Sequence, residues 1–159
     1  MERTVKISQG RHAIEDIMFR YAEGIDTGNL EALAPLFAHG AVVMPDGGEL
    51  NGSEEVLQTF AQVIIFYDED ENVVPYQSGA CSPRTKHVIT NSIFEFDNAV
   101  RNADVRSYFT VYQSLGGANE IIVGGRYIDH YELMIQGWVL IRREVHLENV
   151  GDLSRHLNG

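Results

Sequence analysis

From Lys86 to Glu148 the sequence is a succession of long segments rich in β-branched and aromatic residues, joined by short turns. The segments run roughly Lys86–Phe96, Val105–Leu115, Glu120–Ile135 and Trp138–Glu148, a composition that suits a pleated, half-buried sheet. Their separators are Asp97-Asn98, Gly116-Gly117-Ala118-Asn119 and Gln136-Gly137, all turn chemistry. Parallel neighbours need crossovers of a dozen or more residues, so links this short impose an antiparallel meander. The second half of the chain must therefore make one large sheet, and the first half must cover it.

That first half has helical periodicity. Ile14, Ile17, Met18, Tyr21, Ala22 and Ile25 fall at the three-and-four spacing of one buried stripe. They predict a helix from Ser8, its N-cap, to about Gly28, its stop. A shorter helix, Leu30 to Ala38, follows, then a strand over Ala41–Met44 ended by Pro45 and the turn Asp46-Gly47-Gly48. Gly52-Ser53-Glu54-Glu55 opens a third helix to about Phe66, with Ser53 as N-cap and acids in the first turn, where the helix dipole favours them. Helices first and antiparallel strands after is an α+β pattern, with the helices on one face of the sheet. The 159 residues suit a single domain over 1–159, with a short C-terminal tail at 150–159. The polar stretch from Asp68 to Arg84, with Pro75 and Pro83, reads as a flap over a site or a mobile excursion.

Charge narrows the partners. Acidic residues outnumber basic ones 23 to 12, for a net charge of -11. Phosphate backbones and anionic membrane surfaces attract Lys and Arg, so neither nucleic acid nor a membrane is expected as a partner. The longest apolar run, Val63 to Tyr67, is far short of the roughly 20 residues of a membrane helix. The N-terminus carries no apolar core of the signal-peptide kind, and a cytoplasmic protein is expected. Cys81 is the only cysteine, which excludes an internal disulfide and a cysteine-built zinc site.

Three residues stand out as chemically odd for their positions. Asp26 lies on the flank of the buried helical stripe near the helix C-terminus, where dipole and burial both oppose a carboxylate. It is either held there to orient a base or act as one, or it simply ends the helix in the exposed turn Asp-Thr-Gly. His87 shares a strand face with Ile89, Asn91 and Ile93, which suggests a pocket lining, and histidine is the side chain suited to take a proton near neutral pH. A strand-end histidine touching solvent is the plainer alternative. Arg143 alternates with Val139, Ile141, Val145 and Leu147 on one face of the last strand, so it needs an anion there. Asp26, the strand neighbours of Glu144, or a substrate carboxylate or enolate would serve, as would a purely structural ion pair.

Other features carry less. The run Asp68-Glu69-Asp70-Glu71 reads as a solvated loop, and His146 with Glu148 makes only two ligands. His130 and Glu132 face away from Asp129 on a strand, so no shared metal shell is expected. Gly116-Gly117 lacks the following helix of a phosphate-cradling loop.

Taken in order, RYAEGIDTGN from Arg20, the run LEALAPLFA, TKHVITN from Thr85, GRYID from Gly125 and GWVLIRR from Gly137 resemble the SnoaL-like group of the nuclear-transport-factor-2-like superfamily. The resemblance spans about residues 8 to 150. It implies a cone: a curved antiparallel sheet wrapped around a pocket and closed by the helices, the cystatin-like roll. The chain is most similar to the branch of scytalone dehydratase and hexachlorocyclohexane dehydrochlorinase. There an Asp at the end of the first helix pairs with a proton-abstracting His on the strand after the flap, positions matched by Asp26 and His87. Arg143 falls where the dehydrochlorinase has a pocket arginine. Two departures are visible: Ile25 precedes Asp26 where scytalone dehydratase has tyrosine, and no residue matches that enzyme's second pocket histidine.

The resulting expectation is a cofactor-free, metal-free lyase or isomerase acting on a small apolar carbonyl or ring compound. Asp26 and His87 would be its dyad, with Asn91, Tyr108 and Arg143 holding substrate or a developing oxyanion. The rival expectation is a non-catalytic ligand-binding or assembly subunit of the same fold. Apolar residues on both sheet faces, such as Tyr112, Ile122 and Leu140, suggest a homodimer or homotrimer.

Overall fold

A computed structural model describes residues 2–158; residues 1 and 159 of the expected domain lie outside that range. The order of elements is helix α1 (Arg3–Asp26), a 3-10 helix (Leu30–Phe37), strands β1 (Ala41–Val43) and β2 (Glu49–Asn51), helix α2 (Gly52–Val63), then strands only. These are β3 (Phe66–Tyr67), β4 (Val73–Val74), β5 (Thr85–Phe96), β6 (Asn102–Leu115), β7 (Ala118–Met134) and β8 (Gly137–Val150). The architecture is α+β, as the order of helical and strand patterns requires.

The large sheet runs β2-β1-β8-β7-β6-β5, and β5 to β8 form the expected antiparallel meander. One pairing departs from it: β1 lies parallel to β8, with Ala41 opposite Arg142 and Val43 opposite Glu144. The meander rule governs only strands joined by short turns, whereas β1 comes from the helical half and joins the sheet from outside. β2 was not foreseen, because Asp46-Gly47-Gly48 closes a hairpin rather than merely ending a strand. Register shifts at Thr90/Ile93, Val111/Tyr112, Gly124/Gly125 and His130/Tyr131 interrupt the long strands. Each bulge bends its strand and increases local twist, and together they curve the sheet around the helices.

The helical stripe is buried as its spacing predicts: Ile14, Met18, Tyr21 and Ile25 face one core with Leu33, Phe37, Phe60, Val105, Val111 and Tyr127. The helix boundaries differ from the cap signals. α1 begins at Arg3 rather than Ser8, because its first turns pack on the sheet edge: Gly10 lies against the rings of Phe96 and Trp138, and Arg11 covers Phe94. Ser53 does not cap α2; its hydroxyl donates to the Ala34 carbonyl at 2.5 Å, tying α2 to the 3-10 helix. The stretch from Asp68 to Arg84 packs at the margin of the core, with Cys81 buried in it and Val74 and Tyr76 against it. Tyr76 packs at a tilt against Phe66, receives the Leu30 N–H and donates to Glu31, while Arg84 donates to the carbonyls of Asp68 and Glu69. It therefore packs beside the 3-10 helix. What crosses the open end of the cone is the C-terminal segment: Ile64 bridges Leu157, and Ile65 donates to the His156 carbonyl at 2.8 Å.

The end of α1 is fixed by Gly28, whose φ of +68° lies in the left-handed region and whose hydrogen atoms face the Cys81 carbonyl without space for a Cβ. Gly28→Ala therefore adds both strain and a backbone collision at the point that sets Asp26 against β5. A loss of about 2 kcal/mol or more is expected in urea unfolding, against near-neutrality for Gly116→Ala at the exposed β6–β7 turn beyond its own strain of about 1 kcal/mol.

Candidate active site

Asp26 is the last residue of α1 and 8% exposed. Its carboxylate spans the gap to β5 and accepts three hydrogen bonds there. Thr85 Oγ1 and His87 Nδ1 reach Oδ1 at 2.8 and 2.6 Å, and the His87 main-chain N–H reaches Oδ2 at 2.7 Å. Burial alone would raise the Asp26 pKa; the hydrogen bonds and charge of His87, with the Thr85 hydroxyl, outweigh it and hold the carboxyl below the usual range. An ionised Asp26 fixes the tautomer of its partner. Nδ1 of His87 carries the hydrogen that bonds the carboxylate, and Nε2 is left as the acceptor.

His87 lies in the wall of an apolar cavity of about 100 Å³ between the helices and the curved sheet, lined among others by Ile25, Phe60, Val111 and Tyr127. A dry cavity of about 150 Å³ takes one benzene ring, so this smaller space encloses at most a single small ring. A second histidine, His156, lies in the same wall, its ring centroid 6.2 Å from that of His87. Burial, and the neighbouring His87, push its pKa down to about 4, so its ring is uncharged near neutrality.

The other expected site residues lie elsewhere. The bulge after Thr90 breaks the alternation that placed Asn91 beside His87 and Ile89. Asn91 takes a left-handed φ of 56° and is exposed, and Phe94 and Phe96 occupy the inward positions that follow. Tyr108 is 54% exposed, because Val105, Ser107, Phe109 and Val111 take the inner face of β6. Both residues thus sit on the outer face, away from the cavity. Arg143 does point inward, but it is 0% exposed and does not reach the cavity. Its anion is Asp129, held by a two-pronged contact of Nε to Oδ1 at 2.9 Å and Nη2 to Oδ2 at 2.8 Å. The guanidinium lies against the rings of Tyr21 and Tyr127, at 4.4 and 3.8 Å from their centroids, and those two residues line the ligand space while Arg143 does not. The bulge at His130/Tyr131 also moves Val139 and Ile141 off the face of Arg143, which Leu140 shares instead.

Three residues of this arrangement escaped the sequence reading. Thr85 and Asp129 had a usable signal: period two places Thr85 on the face of His87, and Asp129 opposite Arg143 in the paired register. His156 had almost none, only the spacing of Leu153 and Leu157 in a polar tail. The run Asp129, His130, Glu132 divides as expected, Asp129 turning inward and His130 outward to Asp104.

Comparison with known proteins places the whole arrangement in a family context. A model of the SnoaL-like domain matches residues 8–144. Among solved structures, a hexachlorocyclohexane dehydrochlorinase from Novosphingobium barchaimii superposes with a TM-score of 0.71 at 18% identity, covering 95% of this chain and 94% of the other. A putative scytalone dehydratase from Novosphingobium aromaticivorans gives 0.64 at 20% identity, over 95% and 97%. A protein from the same organism, described as nuclear-transport-factor-2-like with a cystatin-like fold, gives 0.66 at 15% identity over 91% and 85%. At these identities the likeness is one of fold. No curated protein matches the sequence.

The buried histidine generates a pH dependence of stability. His156 has a folded pKa of about 4 against an ordinary 6.5, so the unfolded chain binds more protons between those values. Its contribution is complete above about pH 6.5 and is lost as pH falls toward 4, by up to about 3 kcal/mol. Asp26, with a depressed pKa, adds a loss of the same sign at lower pH. Chemical denaturation between pH 7 and 4 should show this decline, and His156→Phe should flatten it in the upper part of that window.

Proposed function

The chain belongs to the SnoaL-like domain family, and we propose that it is a cofactor-independent lyase or isomerase acting on a small, largely apolar carbonyl or ring compound through Asp26 and His87. The observation that carries this reading is the 2.6 Å contact between His87 Nδ1 and the buried Asp26 carboxylate in the wall of an unfilled apolar cavity. The names of two similar structures, a dehydratase and a dehydrochlorinase, denote losses of water and of hydrogen chloride.

His87 Nε2 takes a proton from a carbon next to an activating group. The C–H electron pair forms the new double bond, and the leaving group departs with the pair of the bond it held. Where no leaving group is present, the proton returns to a different carbon and the outcome is isomerisation. The imidazolium formed at His87 is offset by Asp26, which is already ionised and oriented and needs no rearrangement during the step. The surrounding hydrocarbon lowers the local dielectric and strengthens that attraction.

Two features favour this over a ligand-binding or assembly subunit. Side chains leave the cone unfilled, and a carboxylate costly to bury accepts three hydrogen bonds, one of which orients the His87 imidazole. The family and the fold alone do not choose between these classes.

Turnover of cyclic β-hydroxy and β-halo ketones, followed by the absorbance of the enone product, tests the dyad. Asp26→Asn and His87→Ala should each lose about 10²–10⁴ in kcat with folding intact, and the double variant little more. Losses that multiply in the double variant would mean two independent residues and end the dyad reading.

The same reading retains a homodimer or homotrimer formed through the outer sheet face, where Val88, Ile93, Tyr108, Tyr112 and Ile128 are exposed. Light scattering at micromolar concentration should give a mass of two or three chains, and a clean monomer counts against it.

A further inference from the structure

The cavity wall holds two imidazoles, and the proposed reaction uses one. His156 is presented by a segment strapped across the end of the cone. Its N–H bonds the Leu153 carbonyl at 3.0 Å, and its own carbonyl receives Ile65 N–H at 2.8 Å. On either side, Arg155 accepts bonds from the Tyr67 hydroxyl and Gln113, and Asn158 N–H reaches the Val63 carbonyl. The main chain thus fixes the backbone position of His156. The ring itself is not held: Nδ1 is buried and has no hydrogen-bond partner among the described residues.

That orphaned atom settles which nitrogen carries the hydrogen. A neutral imidazole has one N–H and one lone pair. A buried N–H without an acceptor is rare and costly, whereas an unfilled lone pair is tolerated more readily. Nδ1 is therefore the bare nitrogen and Nε2 the donor. Adding a second proton would leave a buried Nδ1–H unpaired and a charge in hydrocarbon, which opposes the cation. At His87 the assignment is reversed in use, because Asp26 binds the N–H at Nδ1 and Nε2 is the lone pair. The two rings, 6.2 Å apart by centroid in one cavity wall, offer a single small molecule one acceptor and one donor.

We propose that His156 is the hydrogen-bond donor of this pocket, its Nε2–H binding the one acceptor oxygen of a monocyclic substrate while His87 deprotonates the adjacent carbon. This rests on the function proposed above and names the substrate class: one ring, one carbonyl or equivalent oxygen, otherwise apolar. In the step, the C–H bond breaks, its proton goes to His87 Nε2 and its electron pair becomes a C=C bond. The carbonyl π pair moves to oxygen, where the His156 hydrogen bond strengthens without its proton being transferred. The electrons then return to expel a leaving group from the next carbon, or, where that carbon is already doubly bonded to its neighbour, the double bond shifts and the far end of the conjugated chain takes back the proton held by His87.

Two measurements test this without requiring turnover. Nitrogen-15 NMR of the unliganded protein at neutral pH should show His156 protonated at Nε2 and bare at Nδ1. Cyclohex-2-enone should then bind about tenfold more tightly than cyclohexene, which has the ring and no acceptor, and should shift His156 Nε2. His156→Phe should erase that preference and Asp26→Asn should keep it, so failure of the dyad and failure of this assignment give different results. If His156→Phe does not fold, His156→Gln, which keeps a side-chain N–H, should retain part of the preference. Protonation of His156 at Nδ1, an enone preference that survives His156→Phe, or no binding of either probe overturns the proposal.

Discussion

The carboxylate of Asp26 is the joint on which the site depends. It is the only charged group of α1 buried against the sheet, and its three hydrogen bonds all end on Thr85 and His87 at the start of β5. One of those bonds goes to a main-chain N–H, so the clamp fixes the strand as well as the imidazole. The cost of burying a charge at the negative end of a helix is offset only because the partners are supplied in full. Removing any one of them leaves the carboxylate under-satisfied at a largely buried position. Helix docking and base orientation are therefore one interaction seen from two sides.

A second buried charge is managed differently. Arg143 and Asp129 pair across β7 and β8, and the Tyr131 hydroxyl completes the shell on the carboxylate, while Nη1 of Arg143 is buried without a hydrogen-bond partner among the described residues. The Tyr21 and Tyr127 rings that cover the guanidinium also line the cavity, so a cation lies directly behind two walls that a ligand would touch. Burial pushes both phenols up in pKa, Tyr127 well up, and they remain neutral. The pair thus supports the shape of the pocket from behind. Its charge is spent within the protein.

Periodicity made the fold class, the meander and the buried stripe of α1 legible, because each is a local pattern repeated over many residues. Asp26 and His87 were legible as oddities: a charge on an apolar stripe and a titratable ring on an apolar strand face. What failed was register beyond a bulge. Asn91 is placed correctly by alternation only if β5 is regular, and one extra residue reverses every inward and outward assignment after it. The same error displaced Val139 and Ile141 around Arg143. Tyr108 failed for a simpler reason, since either face of a long strand fits the alternation equally well until its neighbours are known. His156 was hidden because its position comes from main-chain bonds to Ile65 and from a bridge to Ile64, contacts that a short polar segment does not advertise.

The parallel contact between β1 and β8 has a consequence in time. Ala41 and Arg142 are about a hundred residues apart in the chain, whereas the hairpins of the meander join residues only a few positions away. Loop-closure entropy is lost before such a distant contact repays it, so the hairpins form early and β1 docks late. Until it docks, β8 is a long strand with an open edge, and open edges pair readily with other chains. The short β1–β2 ribbon is thus a late-fitted guard. The interval before it closes is the period in which a folding chain is most exposed to its neighbours.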